Sequence, residues 1–411
     1  MDDEVREALA AAMADERLRI VSALIRTTRD WDLAEDAVAD AAERALLTWP
    51  RDGVPRNPAA WLTTTAHRRA LDVIRRAGTE RTKLAELGVR QELDQQGLDE
   101  LGEERAVDHG AVCDDRLRLV FTCCHPALAM EARVALTLKV VAGLSTGEVA
   151  RMFLVPEPTM SQRLLRAKKR IANAGIPYKV PDEADLADRL DGVLAVVYLV
   201  YTQGYAGAAA PELAAEAIRL GRLLVDLMPD EDEVTALLAL MLAQHSRRDA
   251  RLVDGDLVTL EHQDRLLWDR VAVDEALTLG MPPGRVPGPY RLQAELALTH
   301  LRARDADDTD WRRIVGLYDR LVHLHPSPVV SLNRALAVGM AESPAAGLRA
   351  LDELAGHPAL QELHLLPAAR ADLLARAGRI EEAAEEAERA IALAPTEQER
   401  RQLGMWRDKL G

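Results

Sequence analysis

The residues best placed to do chemistry in this chain are arginines and lysines at helical spacing, and the chemistry they suit is the binding of a polyanion. In LSTGEVARMFLVPEPTMSQRLLRAKKRIA, residues 144–172, Arg163, Arg166 and Arg170 recur at i, i+3 and i+7 and so share one helix face, while Leu164, Ala167 and Ile171 share another. One stripe is suited to packing and the other to solvent. Ser145 or Thr146 can cap a preceding helix whose first turn holds Glu148 near the positive end of the dipole. Val149, Ala150 and Phe153 supply that helix's apolar side, and the run from Val155 to Pro158 forces a turn. The pattern is helix, turn, helix. In such a unit Thr159, Ser161 and Gln162 open the second helix and reach base edges in a major groove, while Arg163, Arg166, Lys169 and Arg170 hold phosphates or bases. The competing reading is a solvated cationic surface helix, and the scaffold helix and tight turn before it favour DNA.

A second cationic helix, WLTTTAHRRALDVIRR (61–76), pairs Arg68 with Arg75 and Arg69 with Arg76 at seven-residue spacing. Asp72 lies four residues from both Arg68 and Arg76. Taken by itself, this helix is better explained by intrahelical ion pairs of about 0.2–0.5 kcal/mol each.

Other constellations carry less. His109, Cys113, Cys123, Cys124 and His125 offer zinc-type donors without a Cys-x-x-Cys pair, and LRLVFTCCHPAL around the cysteines reads as core, so no metal is expected. The acidic run DADDTD (305–310) has Asp310 where a calcium loop needs its glycine and Gly316 where it needs its closing glutamate. It reads as a solvated loop capping the helix that begins at Trp311. Tyr198, Tyr201 and Tyr205 recur at i, i+3 and i+7 inside an apolar helix and read as core rather than as a ligand pocket. No nucleotide-binding glycine loop, HExxH or nucleophile motif is present, so the chain is expected not to be an enzyme and to need no cofactor.

The elements that must position these residues are helices. Aromatics make up 3% of the chain, alanine and leucine abound, and β-branched runs are scarce, so an all-α fold is expected. Residues 5–49 show helical spacing, Trp49-Pro50 marks a break, and the next helix begins near Ala59. From Gly78 to about Val112 the chain is polar and acidic, which suits a tether. Residues 113–175 form a second helical unit closed by Gly175-Ile-Pro177, and YKVPDEAD follows as a second linker. From Leu186 the pattern is helical for more than 200 residues, interrupted at Met228-Pro-Asp, at 281–290 and at HPSP (325–328). Near the end, GRIEEAAEEAERAIALAP (378–395) has the spacing of a tetratricopeptide helix pair.

A net charge of −15 would argue against nucleic acid, but it is unevenly spread. Residues 1–180 carry 27 basic and 28 acidic side chains, against 25 and 39 in residues 181–411. The acidity belongs to the second half. Within the first, 61–83 hold six basic and two acidic residues, and 159–179 hold six basic and none acidic. The acidic N-terminus is unlike a secretion signal, and the longest apolar run, Val193–Tyr201, falls short of the ~20 residues a membrane span needs. With three cysteines that make no disulfide framework, a cytoplasmic protein with no membrane contact is expected.

Three stretches, AEDAVADAAERAL (34–46), PAAWLTTTAHRRALDVIRR (58–76) and the turn and helix ending PTMSQRLLRAKKRI (158–171), resemble in order and spacing the second and fourth conserved regions of sigma-70 family factors of the extracytoplasmic-function type. Arg68 and Ala39 depart from that pattern, standing where many members carry Asn and Gln. The resemblance implies that Glu35, Asp36, Asp40 and Arg44 dock on the clamp helices of the largest subunit of the RNA polymerase core, the second-largest subunit being a further contact. It implies that the helix carrying Trp61, Thr65, Arg68, Arg69, Arg75 and Arg76 reads and melts the minus-ten element, and that 158–170 reads the minus-thirty-five element of promoter DNA. Segments such as RLDGVLAVVYLVYTQGYAG (189–207) and SPVVSLNRALAV (327–338) look like the tetratricopeptide-like extension of one subgroup of these factors.

The expected organisation is therefore region 2 over 1–78, an acidic linker over 79–112, a region 4 helix-turn-helix over 113–177, a helical extension over 185–290 and tetratricopeptide-like repeats over 291–411. The expected function is promoter-specific initiation, with the acidic extension regulating in cis or through a protein partner. The alternatives are an autonomous helix-turn-helix regulator and a helical-repeat adaptor.

Overall fold

Alanine, leucine and arginine favour helix wherever proline and glycine do not interrupt them, and among the described residues the backbone follows that rule through 19 α-helices. The structure, a computed structural model, describes residues 2–86, 114–206, 212–253, 256–279 and 287–410. Helices α1 (Asp2–Thr28), α2 (Trp31–Asp52) and α3 (Pro58–Glu86) come first, then α4 (Asp115–Cys123), α5 (Met130–Leu136, running into a π turn over Thr137–Val141), α6 (Thr146–Met152), α7 (Glu157–Asn173) and α8 (Glu183–Ala206). The chain continues with α9 (Glu212–Leu227), α10 (Asp232–His245), α11 (Arg270–Thr278), α12 (Pro289–Arg302), α13 (Trp311–Leu324) and α14 (Pro328–Ala341). It ends with α15 (Pro344–Asp352), α16 (Pro358–Gln361), α17 (Leu365–Arg376), α18 (Ile380–Leu393) and α19 (Glu397–Asp408). Two compact units, Met1–Leu199 and Val200–Gly411, divide within α8.

In the first unit α1, α2 and α3 pack on one another around Val21, Leu24, Ala34, Val38, Trp49 and Leu62, all nearly inaccessible. Two boundaries differ from expectation. Pro50 sits in the last turn of α2 instead of ending it, and the helix stops only at Gly53, whose φ of 82° takes the chain out. A proline near a helix end removes one backbone donor without reaching many following turns, so Trp49-Pro50 is a weaker stop than glycine in the left-handed region. At its far end α3 continues past Arg76 to Glu86. The remaining residues of the expected tether, 87–113, lie outside those described. A second core gathers Leu119, Phe121, Leu136, Val140, Val149 and Met160 from the helices between α4 and α7.

The second unit is built of helices packed largely on their chain neighbours, α9 on α10, α12 on α13, α13 on α14, α14 on α15, α17 on α18 and α18 on α19, the mode of helical repeats. The proline-marked stops at Met228-Pro229 and at 325–328 end α9 and α13 as the sequence indicates. One interruption is additional. Between His245 and Arg270 the expected helix gives way to short 3-10 turns and a two-residue antiparallel ladder pairing Leu252 with Leu257.

Helices α14 and α15 cross closely because Gly339 and Gly347 meet. A Cβ on Gly347 would fall 2.7 Å from the Gly339 Cα and 2.9 Å from the Ala335 carbonyl oxygen, both backbone atoms that cannot swing aside. Gly347→Ala is therefore expected to destabilise the protein by about 1–3 kcal/mol. Gly356→Ala, where a Cβ meets nothing within 4 Å, is expected to leave the denaturation midpoint of the second unit nearly unchanged. Equal midpoints for the two variants would contradict this packing.

Candidate nucleic-acid interface

The helix-turn-helix forms as its sequence indicates. Ser145 caps α6 in a reciprocal box, its hydroxyl accepting from the Glu148 amide at 3.2 Å while the Glu148 carboxylate accepts from the Ser145 amide at 2.7 Å. The Ser145 hydroxyl, first among several donors and charges, holds the Glu148 carboxyl below its ordinary value. The turn passes through Leu154, exposed and at φ 51°, a left-handed backbone that leucine rarely adopts. Pro158 lies in the first turn of α7, where its missing donor costs nothing.

Along α7 the expected division of faces is present. Met160, Leu164, Ala167 and Ile171 are buried, while Thr159, Ser161, Gln162, Arg166, Lys169 and Arg170 are exposed and Arg163 is half-buried. Arg163 lies 3.7 Å from Glu131 and, with Arg166 and Arg170, lines a hollow of about 500 Å³ against α5. Among the described residues Arg166, Lys169 and Arg170 have no carboxylate within ion-pair distance.

On α3, Arg68, Arg69, Arg75 and Arg76 are exposed, Thr65 is half-buried, and Trp61 packs edge-on to the buried Trp49 with ring centroids 5.4 Å apart. The intrahelical ion-pair network is not formed: among the described residues Asp72 pairs with neither Arg68 nor Arg76. Arg69 instead pairs with Asp40 of α2, joining two side chains that the sequence had assigned to different partners.

The four acidic and basic positions of α2 also divide. Asp36, Asp40 and Arg44 follow one face at i, i+4 and i+8, and Leu47, 71% exposed, extends that face by one turn. Glu35 turns away from it. Its side chain, only 14% exposed, takes a 2.8 Å hydrogen bond from Lys168 Nζ of α7, with Lys139 at 3.6 Å and Arg17 at 3.9 Å. Lys168 also donates to Asp32 at 2.7 Å. Burial by itself lowers the Lys168 pKa, but Glu35 and Asp32 more than offset this and leave the ammonium above its ordinary value.

The cations around Glu35, namely Lys168, Lys139 and Arg17, were not singled out in the sequence, although Lys168 left a signal. It stands four residues after Leu164, inside the stripe of Leu164, Ala167 and Ile171, where a solvated lysine does not belong. Two further contacts tie α1 to later parts of the same unit: Arg26 pairs with Asp115 of α4 at 2.9 Å, and the hydroxyl of Tyr178, just after α7, donates to the Ser22 carbonyl at 3.0 Å. Burial pushes the Tyr178 phenol up, with Asp115 adding to the effect.

The lesser candidates resolve as core and caps. Cys123 and Cys124 are buried, and burial pushes both thiols up, Cys124 to about 11; His109 and Cys113 lie outside the described residues. Tyr201 is fully buried and stacks on Tyr205, with Arg251 over the Tyr205 ring at 4.2 Å. Asp310 caps α13, accepting from the Arg313 amide at 2.9 Å. Among the described residues no helix is long and apolar enough to cross a membrane.

Comparison with known families coincides with these elements. Residues 9–80, covering most of α1 to α3, match the family described as Sigma-70 region 2. Residues 118–171 match Sigma-70, region 4, and 189–280 match a family of unknown function (DUF6596). None of these descriptions is of an enzyme. The chain is 43% identical over 407 residues to "Uncharacterized protein R00370" of Rhizobium meliloti (strain 1021), covering 97% of this chain and 95% of that one. No solved structure matches. Region 2 and region 4, in that order and coinciding with the two cationic helices, have a role in promoter recognition, so the chain belongs to the sigma-70 family of RNA polymerase sigma factors, extracytoplasmic-function type, with an additional C-terminal domain.

Proposed function

We propose that this sigma factor grips the RNA polymerase core through α2 and places two cationic helices on a promoter, α3 at the minus-ten element and α7 at the minus-thirty-five element. The observation that carries the reading is the selective lack of internal partners. Arg68 and Arg76 on α3, and Arg166, Lys169 and Arg170 on α7, are exposed without a carboxylate within reach among the described residues. Cations elsewhere in the molecule are commonly paired, as Arg222 is with Glu275 and Arg370 with Asp352 and Glu386. Unpaired cations lose least on transfer to phosphate, because no internal ion pair has to be broken. Thr159, Ser161, Gln162 and Arg163 open α7 as base-edge readers, and Trp61, Thr65, Arg69 and Arg75 complete the face on α3.

Asp36, Asp40 and Arg44, with the exposed Leu47, form the surface offered to the clamp helices, the second-largest subunit being a further contact. Glu35 joins it only when Lys168 lets go. Region 4 and the polymerase thus compete for the same carboxylate, and core binding draws α7 away from α2. The acidic C-terminal unit repels DNA and regulates the factor in cis or through a protein partner.

Each part has a test. Arg166→Ala or Arg170→Ala is expected to cost about 1–3 kcal/mol in promoter affinity where a base contact is lost. Where a phosphate contact is lost, the slope of log affinity on log salt falls by roughly one unit. If neither quantity moves, α7 is not the reader. Lys168→Ala is expected to raise affinity for core polymerase several-fold in equilibrium binding, whereas Lys169→Ala leaves it unchanged; equal affinities in all three proteins contradict the competition. A variant shortened to end at Ala206, which keeps α8 whole, is expected to change transcript yield from a fixed promoter. Unchanged yield would remove the extension from regulation.

A further inference from the structure

Arg247, at the end of α10, departs from the charge pattern of the C-terminal unit. It is largely buried, yet among the described residues no carboxylate, carbonyl or ring accepts its guanidinium. The other arginines drawn inside that unit are matched. Arg291 has Asp232 at 3.3 Å and Glu295 at 3.5 Å, Arg376 has Asp372 and Glu261, and Arg265 donates to the carbonyls of His300 and Ala303. Burial leads in lowering its pKa, the Tyr205 and Tyr201 hydroxyls act in the opposite sense, and another cation, Arg251, adds to the lowering. An uncompensated buried charge is costly, and this one occurs where acidic residues outnumber basic ones 39 to 25.

The guanidinium lines a cavity of about 720 Å³ between α10, α12, α13 and α14. That volume lies within the range of small-molecule sites, roughly 300–1,000 Å³. Leu240, Leu296 and Val330 supply apolar wall, Gln293 and Asn333 supply amide donors, and no carboxylate is among the lining residues. His300 also faces it, and burial, with Arg247 and Arg265 nearby, pushes the imidazole down to about 4, so at neutral pH it adds a hydrogen-bonding group and no charge. One planar guanidinium above an apolar wall fits a single bidentate carboxylate better than a doubly charged phosphate. We propose that the C-terminal unit is a receptor for a small organic monocarboxylate, whose anionic end pairs with Arg247 and whose apolar body fills the cavity between α10 and α14. Such a ligand stabilises the unit by mass action, and the inference is independent of promoter reading.

The test is calorimetric titration of the full-length protein with hexanoate and benzoate, with their neutral amides hexanamide and benzamide, and with inorganic phosphate. At least one carboxylate is expected to bind one to one, about tenfold or more tighter than its amide and than phosphate. Arg247→Gln is expected to remove that preference and, because it deletes an unpaired buried charge, to unfold at a temperature no lower than the unliganded parent. Arg247→Lys, which keeps the charge without the planar fork, falls between them. Arg313→Gln, altering a surface pair with Glu295, is expected to bind as the parent does. The proposal is overturned if neither carboxylate binds at about 10 mM, if carboxylate and amide bind alike, if phosphate is preferred, or if Arg247→Gln retains the carboxylate's advantage.

Discussion

A carboxylate and an ammonium largely withdrawn from water tie α2 to α7 in the first unit of this protein. Glu35 and Lys168 come from helices 133 residues apart in sequence, and each would be expensive to bury by itself. Breaking such a pair by deleting one partner typically costs on the order of 3–5 kcal/mol; here the loss is smaller, because Lys139 and Arg17 also lie near Glu35. The consequence reaches the functional surfaces directly. One flank of α7 is committed to α2 through Lys168, so the exposed cations without a carboxylate partner are those on its other sides, Arg166, Lys169 and Arg170. On α2 the commitment of Glu35 leaves Asp36, Asp40 and Arg44 as the exposed charged face.

Charge is also divided along the chain. The first 180 residues are nearly neutral overall, with cations concentrated in two helical stretches, whereas the remainder is strongly acidic, and Arg291, Arg370 and Arg376 within it are matched by carboxylates. On the proposed reading, that division would keep the extension off DNA without weakening the two helices offered to it. Arg247 is the exception within the acidic half, and the cavity around it gives that exception a chemical use.

Much of this architecture was legible in the residues. Helical periodicity, the Ser145 cap, the prolines at the start of α7 and the buried stripe of Leu164, Ala167 and Ile171 specified the helix-turn-helix, because each signal acts within one or two turns of chain. What was not legible depended on distant partners. The pairing of Asp72 with Arg68 and Arg76 suited the spacing but did not form, while Arg69 found Asp40 on another helix. Glu35 and Asp36 are adjacent in sequence yet serve different surfaces, since neighbouring helical residues point about 100° apart. The close crossing at Gly339 and Gly347 and the unpaired state of Arg247 likewise arise from packing between helices, which no local pattern encodes.

The central claim is that this chain directs polymerase to promoters. Run-off transcription with purified core polymerase tests it most directly, using genomic fragments as template and sequencing the transcript starts. The account predicts defined starts that require both the chain and core, and that weaken when the α7 cations are removed. Starts that arise from core without the chain, or a chain that never associates with core, would contradict it.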